Sequence, residues 1–174
     1  MAYSLDNGRT FIKYQGGAPI LTRADDSTGS YDFRDPKVVW LEEEQKWLMA
    51  VAGGPLRLYS STDLINWEFE SSYAANQTVD DNSISAIYTE CPDLFSLTVE
   101  GTDTDKWVLS MGGRYYRVGD LKKVGGKIWF IPETEAISMN FGKDSYAAQT
   151  YYGAPDGRRI MINWMNTWEY CGAI

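Results

Sequence analysis

Lys46-Trp47-Leu48-Met49-Ala50-Val51, followed by Gly53-Gly54, returns 60 residues later as Lys106-Trp107-Val108-Leu109-Ser110-Met111, followed by Gly112-Gly113. A third copy, Arg158-Arg159-Ile160-Met161-Ile162-Asn163, starts 52 residues after the second. Each copy is a short apolar run bounded by Gly, Pro or charged residues, and that length with those flanks reads as a strand rather than a helix. Working outward, an aromatic-bearing strand follows each of the first two Gly pairs, Leu56 to Ser60 and Tyr115 to Val118. A fourth strand closes each unit, Trp67 to Glu70 and Ile128 to Ile131. Upstream, the units open on Arg34-Asp35-Pro36-Lys37-Val38-Val39-Trp40, on Glu90-Cys91-Pro92-Asp93-Leu94-Phe95, and on Lys143-Asp144-Ser145-Tyr146-Ala147-Ala148-Gln149-Thr150. Four strands per unit at a period of roughly 50 to 60 residues is the pattern of propeller blades. The expected fold class is all-β, a partial β-propeller holding about three blades' worth of four-stranded antiparallel sheet.

The ends refine this. Tyr3-Ser4-Leu5-Asp6-Asn7-Gly8-Arg9-Thr10-Phe11 resembles Tyr59-Ser60-Ser61-Thr62-Asp63-Leu64-Ile65-Asn66-Trp67, so the chain opens in the second half of a blade. One partial-propeller domain is predicted over 1–174: a half-blade 1–30, blades 31–87 and 88–139, and an incomplete blade 140–174. The strands of the two whole blades span about 31 to 70 and 88 to 133, while Gly16-Gly17 and the polar stretches 23 to 30, 74 to 85 and 100 to 105 read as loops. An unfinished ring exposes strand edges and apolar faces. A homo-oligomer is therefore expected, a dimer in which the half-blades complete one another to give six blades; the alternative is a fragment of a larger ring.

Composition narrows function. With 16 basic and 24 acidic residues the formal charge is −8, which argues against nucleic acid as partner, because phosphate binding needs clustered Lys and Arg. The absence of histidine removes Ser-His-Asp and Cys-His nucleophilic systems and His-ligated zinc, so acid/base work falls to carboxylates and neither cofactor nor metal is expected. Cys91 and Cys171 lack metal-ligand spacing and do not suggest a disulfide framework. Met1 is followed by polar sequence without a leader pattern, and no run reaches membrane-spanning length; the compartment is unknown from sequence, cytoplasmic for the chain as given, and no membrane partner is expected. Seven Trp and 12 Tyr supply core rings, with some left over to stack on the C–H faces of sugars.

Taken singly, the candidate residues have plain structural readings. An Asp before Pro caps a turn, Glu90 is a strand-end charge, Asp93 is a hydrogen-bond acceptor locking blades, and Glu42-Glu43-Glu44 is a solvated hairpin turn. Asp144 reads equally as turn-former or ligand, and Trp164 as core or sugar platform. Aligning Pro36 with Pro92 sets Asp35 opposite Cys91 rather than Glu90, a one-residue offset that in a regular strand reverses side-chain direction.

Together they acquire a specific meaning. Arg34-Asp35-Pro36, Glu90-Cys91-Pro92-Asp93-Leu94-Phe95, the segment Lys143 to Thr150 and Ile162-Asn163-Trp164-Met165-Asn166-Thr167-Trp168 stand in the order of glycoside hydrolase family 32. The chain resembles the middle of that family's five-bladed catalytic domain; the family comprises β-fructosidases such as invertases, inulinases and levanases. The resemblance implies a retaining glycosidase acting on a fructose-containing saccharide, sucrose or a fructan. Glu90 would be the general acid/base, a buried carboxyl able to hold a proton for the leaving oxygen. Asp35 would be the ionised transition-state stabiliser that binds fructosyl hydroxyls. Arg34, Asp144 and Trp164 would contact substrate, and Cys91 would be a small polarisable neighbour of Glu90.

The resemblance also has gaps. The retaining mechanism needs a nucleophilic carboxylate about 5 to 5.5 Å from the acid, which the family carries in a Trp-Met-Asn-Asp-Pro-Asn-Gly type motif on its first blade. That motif is absent here; Trp164-Met165-Asn166-Thr167 has Thr where Asp is needed, and Asp6 and Asp63 fall in hairpin turns. The fifth blade and the C-terminal β-sandwich are absent as well, and Asn140-Phe141-Gly142 stands where many members place an acidic residue. Three readings follow: a β-fructosidase domain weak or inactive alone, a saccharide-binding module without turnover, and a self-associating scaffold.

Overall fold

The computed structural model describes residues 1–30, 32–73 and 90–173; the polar stretch 74 to 85 lies outside the described residues. The chain opens with a two-stranded antiparallel sheet, β1 (Ala2–Tyr3) and β2 (Ile12–Lys13). Two short 3-10 turns follow, Tyr14–Gly17 and Arg23–Asp25, in segments expected to be plain loop. The first complete blade is β3 (Arg34–Leu41), β4 (Lys46–Ala52), β5 (Leu56–Ser61) and β6 (Glu68–Tyr73), paired in sequence order. The second is β7 (Asp93–Thr98), β8 (Asp105–Met111), β9 (Tyr115–Val124) and β10 (Lys127–Pro132), with β11 (Ile137–Ser138) added to the free stretch of β9. A last pair, β12 (Tyr146–Thr150) and β13 (Met161–Trp164), ends the strand series.

The repeated apolar run is β4 and β8, second in each blade. Both faces of β4 are covered, which is why its sequence is continuous rather than alternating. Leu48 and Ala50 join Val39, Leu58, Leu94, Leu109, Ile128 and Phe130 in the core between the two blades. Met49 and Val51 point the other way, onto Tyr59, Phe33, Val38, Trp67 and Leu21. The third copy is shorter than expected: pairing starts at Met161, and Arg158 to Ile160 precede the strand. At the end of each run Gly is required by space as well as by a left-handed φ. A Cβ on Gly53 would lie 2.6 Å from the Asp32 backbone, and one on Gly113 would lie 2.5 Å from the Ala148 amide of the next blade.

Arg57, on β5, has no exposed side-chain surface and forms a forked pair with the equally buried Asp26, Nη2 to Oδ2 at 2.6 Å and Nε to Oδ1 at 3.2 Å. It also donates to the carbonyls of Ala52 and Asp32. Asp26 and the Asp32 backbone are thereby fastened to the blade close to where β3 begins, and sequence patterning alone did not single out this pair. Burial by itself would raise the Asp26 pKa, but the hydrogen bonds from Arg57 and Thr28 outweigh it and hold the carboxyl below its ordinary 3.8. A depressed folded-state value means that this stabilisation is complete above about pH 4 and is lost as pH falls through that value. Asp26→Ala, which leaves Arg57 buried and uncompensated, is expected to cost about 3–5 kcal/mol at pH 7 by urea unfolding. The difference from wild type should shrink in acid; a cost independent of pH would contradict the ion-pair account.

Candidate active site

The innermost strands bring together residues 56 positions apart. Arg34 Nη2 lies 2.5 Å from Glu90 Oε1, and the Tyr146 hydroxyl donates a short hydrogen bond to Glu90 Oε2. One residue along, Asp35 Oδ2 accepts the Cys91 backbone N–H at 3.1 Å and faces its sulfur at 3.7 Å. Arg34, Glu90 and Tyr146 thus occupy one level in three successive blades, and Asp35, Cys91 and Ala147 the next. The second set shares a backbone signature: φ is 55° at Asp35, 46° at Cys91 and 54° at Ala147. Non-glycine residues seldom adopt this region, and clusters of them mark functional sites. Register breaks accompany it, between Arg34 and Lys37 in β3 and between Tyr146 and Gln149 in β12. Such a bulge re-aims side chains.

The proline alignment is therefore preserved, with Asp35 equivalent to Cys91, and yet Asp35 and Glu90 are brought near one another. Contacts across blades do this. Arg34 reaches Glu90 directly and lies 3.8 Å from Asp35 and 3.0 Å from Asp32. Its guanidinium is shared among three carboxylates, which raises its pKa above the ordinary value, the hydrogen bonds to Glu90 and Asp32 leading. Side-chain exposures of 40% for Arg34, 34% for Asp35 and 28% for Glu90 leave the group open to a ligand. Glu90 is thus half-buried, less enclosed than expected, with both oxygens already partnered. Among the described residues no group of three or more His, Cys, Asp and Glu is arranged to hold a metal ion.

Beneath this layer lies a second tie. Asp93, with no exposed side-chain surface, meets Lys37 Nζ of the preceding blade at 2.9 Å and accepts the Thr150 N–H of the following blade at 2.6 Å. Lys37 also donates to the Thr150 carbonyl at 2.8 Å, and Gln149 donates to the Pro92 carbonyl at 3.0 Å. Asp93 is the inter-blade lock its sequence position allowed. The backbone closes the arrangement: Gly112 N–H donates to the Glu90 carbonyl at 2.7 Å and Ala147 N–H to the Gly112 carbonyl at 2.8 Å.

The remaining candidates divide. Trp164 pairs in register with Tyr146, is 36% exposed, and packs edge-on against Trp168 at 5.2 Å. It stands beside the Glu90 partner as a surface ring. Asp144 is exposed two residues before β12 and takes no part in the contacts joining Arg34, Glu90 and Tyr146. Asp6 and Asp63 are turn-formers: Asp6 accepts the amides of Arg9 and Thr10, Asp63 those of Ile65 and Asn66. Tyr146, Asp32 and Lys37 belong to the site network without having been selected from sequence. The 56-residue spacing of Arg34, Glu90 and Tyr146 was the available signal; the 60-residue spacing of β4 and β8 masked it.

Residues 1–173 match the model of the glycosyl hydrolases family 32 N-terminal domain. The chain belongs to glycoside hydrolase family 32. It is 43% identical to a fructan beta-fructosidase of Streptococcus mutans over its whole length and 12% of that protein, and 35% identical to a levanase of Bacillus subtilis, again over its whole length and 26% of the relative. Among solved structures it resembles a fructofuranosidase of Schwanniomyces occidentalis complexed with fructosylnystose, with a TM-score of 0.76 at 29% identity over 97% of this chain and 32% of that one. An exo-inulinase of Aspergillus awamori gives 0.72 at 27% identity over 99% and 36%. The family 32 chain therefore spans less than half the length of these relatives, and its fold is a segment of their propeller.

Cys91 is chemically quiet in this candidate site. Burial, then the negative charges of Asp35 and Glu90, push its thiol up to about 11, so it stays protonated and is a poor nucleophile near neutrality. Burial, then the bond to Glu90, likewise raises the Tyr146 hydroxyl, which remains a donor. In a Cys171→Ser background, alkylation of Cys91 by iodoacetamide should be slow at pH 8 and rise only toward pH 11. Asp35→Asn should move that rise to lower pH. An unshifted profile would mean that Asp35 does not act on the thiol.

Proposed function

We propose that this domain recognises terminal fructosyl units of sucrose or fructans and carries two of the three carboxylates of a β-fructosidase. The observation that supports this most directly is the gathering of Asp35 and Glu90, from successive blades, around one guanidinium at an open end of the inner strands. Asp35 is the residue that holds fructosyl hydroxyls and stabilises positive charge developing on the ring. Glu90 is the acid/base; its Oε1 and Oε2 are held by Arg34 and Tyr146, and proton delivery needs one of these donors to yield its oxygen to the glycosidic oxygen. Arg34 orients both carboxylates, and Trp164 offers a ring beside Tyr146. Asp144 is a rim contact.

Retention also needs a nucleophile. Asp6 and Asp63 are committed to turns and Asp32 to Arg34, so the chain by itself is a fructose-binding domain with weak turnover or none. The second copy proposed to complete it fits the strand inventory. β12 and β13 are the first two strands of a blade, β1 and β2 the last two, and a groove of about 640 Å³ lies between the β1 side and the apolar face of the first blade, lined by Phe33, Val38, Met49 and Trp67. Strands β12 and β13 of a second copy would occupy that missing half.

Purified chain incubated with sucrose or inulin should release fructose weakly or not at all, and any release should fall by about 10²–10⁴-fold in Glu90→Gln. Calorimetric titration with fructose should show binding that Asp35→Ala abolishes. Absence of both release and binding overturns the reading. For the assembly, the solution mass should be about twice 19.7 kDa; a strict monomer would assign the groove to other strands.

A further inference from the structure

A second cleft, of about 460 Å³, opens between the two complete blades at the end of β3 remote from Arg34. At about 3.3 Å per residue, the strand from Arg34 to Leu41 separates it from the Asp35–Glu90 group by about 20 Å, so no single sugar unit reaches both. Its floor is Trp107 and Leu121, half-buried on the inter-blade core. Its rim is Glu43, Asp105, Asp120 and Lys122. The size lies within the range of about 300–1,000 Å³ usual for ligand pockets.

The rim is held in place by the protein rather than by solvent alone. Asp120 is fixed by Lys106 at 3.1 Å and by Lys122 at 3.4 Å, and Asp105 accepts the Thr98 hydroxyl at 2.7 Å. Across the cleft, Lys123 on β9 pairs with Glu44 of the β3–β4 turn at 2.5 Å, which fastens the walls to each other. The acidic run Glu42 to Glu44 is thus a structured wall between blades as well as a hairpin turn. An aromatic and aliphatic floor under a carboxylate-rich rim suits a ligand with apolar C–H faces and many hydroxyl donors. The excess of carboxylates over ammonium groups disfavours phosphorylated or carboxylated ligands.

We propose that this cleft is a second saccharide site, which holds an internal stretch of a fructan chain while Asp35 and Glu90 engage a terminal unit. The ligand class rests on the fructan reading above; the site itself stands on separate residues. In the chain as it exists, an inulin-derived oligosaccharide long enough to span several units should bind at two sites per chain by calorimetry. Asp35→Ala should remove one and keep the other. In that background Trp107→Phe and the exposed-rim change Glu43→Lys should each weaken the remaining binding by about tenfold, the scale of one lost contact, with circular dichroism unchanged. If the wild type shows one site and Asp35→Ala abolishes it, the second site is overturned while the fructosyl reading stands. If the wild type shows one site that Asp35→Ala leaves unchanged and Glu43→Lys weakens, the cleft is supported and the Asp35 reading fails. No binding by the wild type overturns both.

Discussion

Asp93 carries a charge entirely removed from water, and such a charge persists in a fold only when paired and hydrogen-bonded. Its two partners come from different blades, Lys37 before it and the Thr150 amide after it. One carboxylate therefore fastens three inner strands at a common level. Glu90 stands three residues upstream, and Arg34 and Tyr146 stand at matching positions beside it. The geometry of the candidate site is inherited from this tie and from the Ala147 to Gly112 backbone bond, because among the described residues each β-ladder lies within one sheet.

Above the tie the backbone departs from regular strand. Left-handed φ at Asp35, Cys91 and Ala147, with the bulges in β3 and β12, is the means by which side chains leave the alternation of a pleated sheet and point along the inner opening. Charge balance follows from the same arrangement. Arg34 gathers Asp32, Asp35 and Glu90 and relieves their mutual repulsion, while Cys91, flanked by two of those acids, is kept a thiol. Cys91, expected from sequence as a small polarisable neighbour of Glu90, is a neutral thiol whose backbone amide donates to Asp35.

Much of the fold was legible because blades are built from strong local signals. The runs at Lys46 and Lys106, the Gly pairs after them and the turn aspartates at 6 and 63 each have a physical cause: burial on both faces, a backbone too close for a Cβ, and amides in need of an acceptor. What patterning missed was long-range or lacked period. Asp26 and Arg57 are 31 residues apart and look like ordinary surface charges until the loop folds back. Strand β11 is two residues long and borrows a partner already paired on its other side. The third apolar run begins later than its sequence suggests, since Arg158 to Ile160 lie before the pairing starts at Met161.

The amino-acid sequence by itself determined the blade repeat and the family, and it singled out Asp35 and Glu90 as the candidate carboxylates, since these depend on residue type and order along the chain. It also carried the absence of histidine, which turned attention to carboxylates as the candidate acid/base groups. Only the tertiary structure decided whether those carboxylates meet. Their approach depends on side chains from separate sheets, on three left-handed residues and on a buried lock contributed by three blades, and none of these is a property of any contiguous segment. Tyr146 shows the distinction most plainly: in sequence it is one aromatic among 12 tyrosines, and in space it is the hydroxyl that holds Glu90.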